Sequence, residues 1–65
     1  MTIQELQEGQ KVHYVPSVGE LENGIVKSFN DKVAFVVYKC NGEWSRYRHF
    51  TAAPTDPNDL KEGWV

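Results

Sequence analysis

The chain contains a single cysteine among its 65 residues, Cys40. One cysteine cannot form an intramolecular disulfide. Together with His13 and His49 it does not make the cysteine-rich tetrahedral set that is typical of structural zinc sites. We therefore expect no metal site, no cofactor and no covalent staple, so a small hydrophobic core has to stabilise the fold by packing or by oligomerisation.

Long hydrophobic runs and an excess of positive charge are also missing. The longest uncharged apolar run covers residues 33–38, far short of the roughly 20 residues that cross a bilayer. The first five residues lack the basic and apolar segments of a secretory signal, which, with the lone cysteine, predicts a cytoplasmic protein without a membrane partner. Seven basic and nine acidic residues give a net charge of −2, so any binding of nucleic acid would depend on one local patch.

Alternation of apolar and polar residues predicts four short strands, over residues 10–15, 24–29, 33–39 and 44–50. The third is almost continuously apolar, which predicts the central strand of the sheet. Lys27 shares a face with apolar neighbours in the second strand, which predicts a partly exposed or edge location for it. Asn41-Gly42 before the fourth strand is a strong hairpin signal, and residues 51–54, which end in Pro54, are predicted to end the pairing.

Two short helical turns are predicted near the ends of the chain. Thr2 stands three residues before Glu5, the spacing of a capping box, which predicts a helical turn over residues 2–7 that a left-handed Gly9 ends. Asp56 precedes Pro57, which is typical of an N-cap followed by proline at the first helical position. The two last residues are predicted to form a fifth, closing strand.

These elements predict a single mainly β domain over residues 1–65, a small antiparallel barrel of four to five strands with one or two short helical turns. The segments 9–12, 23–27 and 33–38 carry a resemblance to the SH3-like superfold in its Tudor and KOW-type variants, and this resemblance covers most of residues 5–50. The chain also resembles a group of short, uncharacterised bacterial and bacteriophage proteins. That second resemblance rests on 12–14, 22–27, 36–40, Trp44 with Tyr47, 51–52, and 59–60 with 63–64, and it implies a free-standing module.

The predicted fourth strand carries the main candidate site. With a period of two, Trp44, Arg46 and Arg48 share one face and Tyr47 lies on the other. If the face of Tyr47 points into the barrel, the other three side chains form an outward row. Such a row of one indole and two guanidinium groups is suited to stacking on a base or to holding a phosphate or carboxylate. The alternative is a solvated strand on which Trp44 covers the core and the arginines form ion pairs of little energetic value. The acidic partners expected for those ion pairs are Glu20, Glu22 and Glu43.

Tyr14 is a second aromatic candidate. The Tudor resemblance implies that aromatic residues near the loop ends can form a cage for a methylated cation, here Tyr14 with Trp44. The segment 16–24, where such a cage recruits a further aromatic residue, contains none. The alternative is that these aromatic residues belong to the core.

Three functions follow from these patterns. The first is a non-catalytic binding module for a protein segment, a nucleic acid or a small anionic ligand, with Tyr14, Trp44, Arg46, Tyr47 and Arg48 as ligand-binding residues. The second is a homo-oligomeric structural or assembly protein that buries Trp64 and Trp44 between copies, and the group resemblance adds a phage-borne effector acting on a host. The third, an enzyme, is not expected, because a chain of this length rarely encloses a catalytic cleft.

Overall fold

The computed structural model describes residues 1–38, 40 and 42–65 and shows one five-stranded antiparallel sheet. Its order is β4-β3-β2-β1-β5. The described helical residues form only short 3₁₀ turns, so the prediction of a mainly β antiparallel domain with short helical turns is confirmed. The strands are Lys11–Tyr14 (β1), Glu22–Phe29 (β2), Ala34–Val37 (β3), Ala53–Thr55 (β4) and Leu60–Glu62 (β5).

β1 brings the two ends of the chain together, because it pairs with β2 on one side and with β5 on the other. Val12 lies opposite Gly24 of β2 and opposite Glu62 of β5. Side chains alternate between the two faces of a strand. Val12 and Tyr14 therefore lie on one face of the sheet, whereas Lys11 and His13 lie on the other.

The main core lies on the face that carries Val12 and Tyr14. Val12, Val26, Ala34 and Val36 are completely buried there, and Leu60 is 1% exposed. Leu6 arrives from the first 3₁₀ turn and completes the cluster, and four half-buried side chains pack around it. Those four are Met1, Ile3, Tyr14 and Tyr38.

The prediction of a fourth strand over residues 44–50 is wrong, because Trp44–His49 forms a 3₁₀ helix with a kink at Arg46. Hydrogen bonds between residues three apart define it, from the Arg46 amide to the Glu43 carbonyl and from the Phe50 amide to the Tyr47 carbonyl. The physical reason lies in the composition of the segment. Both of its period-two faces mix apolar with polar or charged side chains, so neither face gains enough by burial to specify a strand. The predicted hairpin residue Asn41 lies outside the described residues.

β4 overlaps the segment 51–54, which was predicted to end the strand pairing. Ala53–Thr55 pairs with β3, and Pro54 lies opposite Phe35. A proline is tolerated at this place because β4 is at the edge of the sheet, where one side of the strand needs no ladder hydrogen bonds. The prediction that residues 51–54 end the pairing is therefore wrong.

The centre of the sheet also differs from the prediction, since β2 and not β3 lies third of five. Lys27 thus belongs to an internal strand and not to an edge, and of the two predicted locations the partly exposed one is found. A register shift between Val26 and Ser28 places Lys27 at a bulge. Its ammonium group donates to the Phe50 carbonyl at 2.8 Å. The bulge lets a charged residue occupy an internal strand because its side chain reaches a polar partner.

Both predicted helical turns are present as 3₁₀ turns. At Ile3–Glu5 the Glu5 carboxylate accepts from the Thr2 amide at 2.8 Å. Gly9 has the predicted left-handed conformation, with a φ of +84°, but the turn is shorter than predicted and already ends at the extended Leu6. Before Pro57–Asp59 the Asp56 carboxylate accepts from the Asn58 amide at 2.9 Å. The last strand is Leu60–Glu62, so the prediction that the two final residues form it is wrong.

Candidate functional site

A cleft of about 270 Å³ lies at the end of the sheet where β1 and β3 finish. β4 and the last 3₁₀ turn form the rest of its wall. The rings of Tyr14 and Tyr38 meet edge to face there, with centroids 6.1 Å apart. Three carboxylates share this cleft, and none of its described lining residues is basic. The described lining consists of Tyr14, Glu22, Tyr38, Ala53, Pro54, Thr55, Asp56 and Asp59.

The Tyr38 side chain is fixed from two directions. Its hydroxyl forms a 2.8 Å hydrogen bond with the hydroxyl of Thr55, a buried residue of β4. Its ring lies directly over Gly24, where an added Cβ would stand only 2.9 Å from Tyr38 Cδ1. Gly24 therefore lets β2 pass close beneath the ring, and the cleft wall depends on a residue without a side chain.

The last 3₁₀ turn positions two of the three carboxylates. Asp56 caps the turn by accepting from the Asn58 amide, and Asp59 ends it. The Asp59 carbonyl accepts from the Val15 amide at 2.8 Å, which ties the turn to the end of β1 beside Tyr14. Glu22 comes from β2, directly opposite Tyr14 in the ladder. The carboxylates of the cleft thus come from two separate parts of the chain.

The electrostatics of the cleft show in the pKa of Tyr38, which is raised above its usual value. Burial of the phenol is the largest cause, the Thr55 hydrogen bond partly opposes it, and the negative charges of Glu22 and Asp59 add to the increase. Each of these carboxylates disfavours a phenolate beside it. The cleft is therefore a region of negative potential with a neutral phenol in its wall.

A separate aromatic contact lies on the other face of β1. Trp44 and Trp64 pack with ring centroids 4.9 Å apart, and the Lys11 ammonium stands 4.8 Å from the centre of the Trp64 ring. The Trp64 indole donates to the Gly24 carbonyl at 2.8 Å. The last residues of the chain thus join the 3₁₀ helix to the sheet.

The two arginines of the predicted binding row point into solvent and contact acidic residues. Arg46 lies 3.5 Å from Glu43, and Arg48 donates to Glu8 at 2.9 Å. Their side chains are 66% and 69% exposed. The Glu8 hydrogen bond raises the pKa of Arg48 above its usual value. Glu43 is one of the three acidic partners expected under the alternative interpretation of this segment, whereas Glu8 was not among them.

Tyr47 lies between these arginines and is half-buried. Its hydroxyl is close to Gly9, where an added Cβ would stand 3.2 Å from it, and the Arg48 guanidinium lies 5.3 Å from its ring centre. Tyr47 therefore packs against the turn before β1. Of the five predicted ligand-binding residues, the cleft contains Tyr14 alone, and the other four belong to the second 3₁₀ helix.

The predicted pairing of Tyr14 with Trp44 in a cage is not found, since their ring partners are Tyr38 and Trp64 respectively. Sequence reasoning missed Tyr38 as a site residue. The available signal was its place at the end of an apolar strand, like that of Tyr14 at the end of the first. β1 and β3 both pair antiparallel with β2 and therefore run in the same direction. Their last residues thus lie at the same end of the sheet.

The thiol and the imidazole groups lie outside the described lining of the cleft. Cys40 is 2% exposed, and the His13 Nδ1 donates to the Gly63 carbonyl at 2.8 Å. In the described part of the chain, no three His, Cys, Asp or Glu side chains are grouped so that they would hold a metal ion. Among residues 1–38, 40 and 42–65 there is also no helix of the length and hydropathy needed to cross a membrane.

Comparisons with protein-family models, with curated proteins and with solved structures found no match to this chain.

Proposed function

We propose that this protein is a non-catalytic binding module that holds a cationic side chain of a protein segment in the cleft between Tyr14 and Tyr38. The observation that carries the proposal is the composition of the cleft, two tyrosine rings and three carboxylates around about 270 Å³. Aromatic rings attract cations through their faces, and carboxylates attract them by charge. The same surroundings repel phosphates, which favours a basic protein segment over a nucleic acid or an anionic ligand.

The framework that we propose for this module is an SH3-like barrel. Support comes from the pairing of β1 with both β2 and the last strand β5, which draws the two ends of the chain into one sheet. In such small β domains, binding residues at strand ends and loops are held in place by the sheet. The lone cysteine further favours action in the reducing cytoplasm.

The arginines are a weaker basis for binding. Arg46 and Arg48 each contact a carboxylate of this chain. An anionic ligand would have to displace those contacts, although exposed ion pairs are individually weak. The rigid strand that was predicted to display the arginines as a row is absent. We therefore place the proposed site in the cleft.

The test is a map of NMR chemical shifts during titration with a short lysine-containing peptide and, separately, with an oligonucleotide. The peptide is expected to perturb the amide signals of Tyr14, Glu22, Tyr38 and Asp59. Asp59→Asn removes a charge with little change in shape and should weaken peptide binding about fivefold, and more at low salt. Tyr47→Phe, which alters a tyrosine outside the cleft, is the matched control and should bind as wild type does.

Two results would overturn the proposal. One is a peptide titration that leaves the cleft signals unmoved. The other is an oligonucleotide titration that moves the signals of Trp44, Arg46 and Arg48, which would return the site to the second 3₁₀ helix.

A second candidate function is homo-oligomeric assembly, which exposed apolar side chains favour. Val18, Leu21 and Val65 are 88%, 51% and 71% exposed. Burial of such surface against another copy would stabilise a small core. Light scattering at increasing protein concentration tests this function, and a constant monomer mass would count against it.

A further inference from the structure

The hydroxyl groups of Tyr38 and Thr55 form a short relay at the wall of the cleft. The two oxygens lie 2.8 Å apart, and the Thr55 hydroxyl donates to the Ala53 carbonyl at 3.3 Å. A hydroxyl carries one hydrogen, and a carbonyl oxygen carries none. The Thr55 hydroxyl can direct its one hydrogen to the Ala53 carbonyl or to Tyr38, and in the first arrangement the hydrogen between the two hydroxyls belongs to Tyr38.

Both arrangements leave Tyr38 an acceptor for a ligand. Whether it donates to Thr55 or accepts from it, the phenolic oxygen keeps at least one lone pair for a hydrogen-bond donor in the cleft. The carboxylates of Glu22 and Asp59 are also acceptors when ionised. A ligand that enters this part of the cleft therefore meets oxygen atoms that need hydrogen-bond donors.

We propose that the cleft selects a cation with N–H groups, a protonated primary amine or a guanidinium, over a quaternary ammonium of equal charge. This inference rests on the proposed function and specifies its ligand. A quaternary ammonium satisfies the charge but has no hydrogen to donate. Its methyl groups would cover the Tyr38 oxygen and the carboxylates and leave acceptors without partners, which weakens its binding relative to a cation that can donate.

The shape of the cleft favours the same choice. Quaternary ammonium groups are recognised by cages of several aromatic faces. The described lining of this cleft has two rings, which meet edge to face and not as parallel walls. The rest of the described lining consists of carboxylates, Thr55, Ala53 and Pro54. Charge and hydrogen bonding are therefore expected to contribute more to cation recognition in this cleft than contacts with the faces of the aromatic rings.

The relay persists at neutral pH because the Tyr38 hydroxyl keeps its proton. Burial and the nearby negative charges raise the pKa of this phenol above its ordinary value. A neutral phenol can donate to Thr55 or accept from it, whereas a phenolate can only accept.

The experiment measures binding of three peptides that differ at one position, which carries lysine, arginine or trimethyl-lysine. Wild type is expected to bind the lysine and arginine peptides about tenfold or more tightly than the trimethyl-lysine peptide. Tyr38→Phe keeps the ring and deletes the oxygen, so the preference should fall toward equality. Thr55→Val breaks the relay and should also reduce it, while Thr55→Ser preserves the hydroxyl and should keep it.

The outcomes separate this inference from the proposed function. Equal or tighter binding of trimethyl-lysine by wild type overturns the inference and leaves the cationic cleft standing. An unchanged preference in Tyr38→Phe also overturns it, and this variant remains informative if Thr55→Val fails to fold. If none of the three peptides binds, the proposed function itself is refuted. Nα-acetyl-lysine amide, a small molecule with a free side-chain ammonium group, should bind more weakly than the lysine peptide. Equal affinity would support the selection for N–H cations but contradict a protein segment as the source of the cation.

Discussion

Replacement of Gly24 by alanine tests the packing between β2 and β3 that forms the wall of the cleft. A Cβ at this position would lie 2.6 Å from Val36 Cγ1, 2.9 Å from Tyr38 Cδ1 and 3.0 Å from the Val37 carbonyl oxygen. Val36 is fully buried, and the Val37 oxygen belongs to the backbone. Neither can move without disturbing the core or the sheet, so the steric conflict is resolved by a shift of β2 or of the Tyr38 ring.

The magnitude follows from two opposing effects. Overpacking a well-filled core costs about 1–3 kcal/mol. The lower flexibility of alanine in the unfolded chain offsets about 0.4–1 kcal/mol of this. We therefore expect Gly24→Ala to lower the free energy of unfolding by about 1–2 kcal/mol, and each kcal/mol corresponds to a decrease of about 4–8 °C in Tm for a domain of this size.

The assay is urea unfolding of wild type, Gly24→Ala, Val36→Ala and the double variant. Loss of the Val36 methyl groups opens the space that the new Cβ needs, so the double variant should be more stable than the sum of the single effects predicts. Gly42→Ala is the control. Its Cβ would meet nothing within 4 Å, although its φ is +80°, so its effect should add independently to that of Val36→Ala. Stability of Gly24→Ala within experimental error of wild type, or simple additivity with Val36→Ala, would refute the steric argument.

Three further predictions concern the core, the surface and the alkaline limit. Leu60→Ala should lower the free energy of unfolding by about 2–5 kcal/mol, because Leu60 is 1% exposed in the core. Lys61→Ala, at the exposed neighbouring position, should change it little. Equal effects of the two variants in urea unfolding would contradict the core assignment. Glu8→Gln should change the melting temperature only slightly, and less as salt rises, because its ion pair with Arg48 is exposed; a large, salt-independent loss would show that this contact matters more than its exposure indicates. The raised pKa of Tyr38 stabilises the fold fully below the unfolded pKa of about 10, and this contribution is lost as pH rises through the higher folded value. A tyrosinate absorbance titration should therefore show one late-ionising group that Tyr38→Phe removes, and an identical curve for the variant would contradict this environment.

The candidate site was only partly predictable from the sequence because its parts are distant along the chain. Tyr14 lies in β1, Tyr38 directly follows β3, and Thr55 lies in β4, so they meet only when these three strands are in place. No local pattern links them. The period-two spacing of Trp44, Arg46 and Arg48 was a local pattern, but it required a strand that tertiary contacts did not support.

The local features, by contrast, followed from the sequence by itself. Thr2 with Glu5 and Asp56 with Pro57 define their turns through contacts within three residues, and the alternation around Val12 defines β1. Short-range hydrogen bonding and side-chain periodicity are sufficient for such elements.

Only the tertiary structure decided which strands are central, where the sheet ends and which side chains line the cleft. β2 became central because β1 and β3 bury its two edges, and Pro54 became part of a strand because that strand lies at an edge. These outcomes depend on which surfaces find partners elsewhere in the chain, and a strand's own residues do not carry that information.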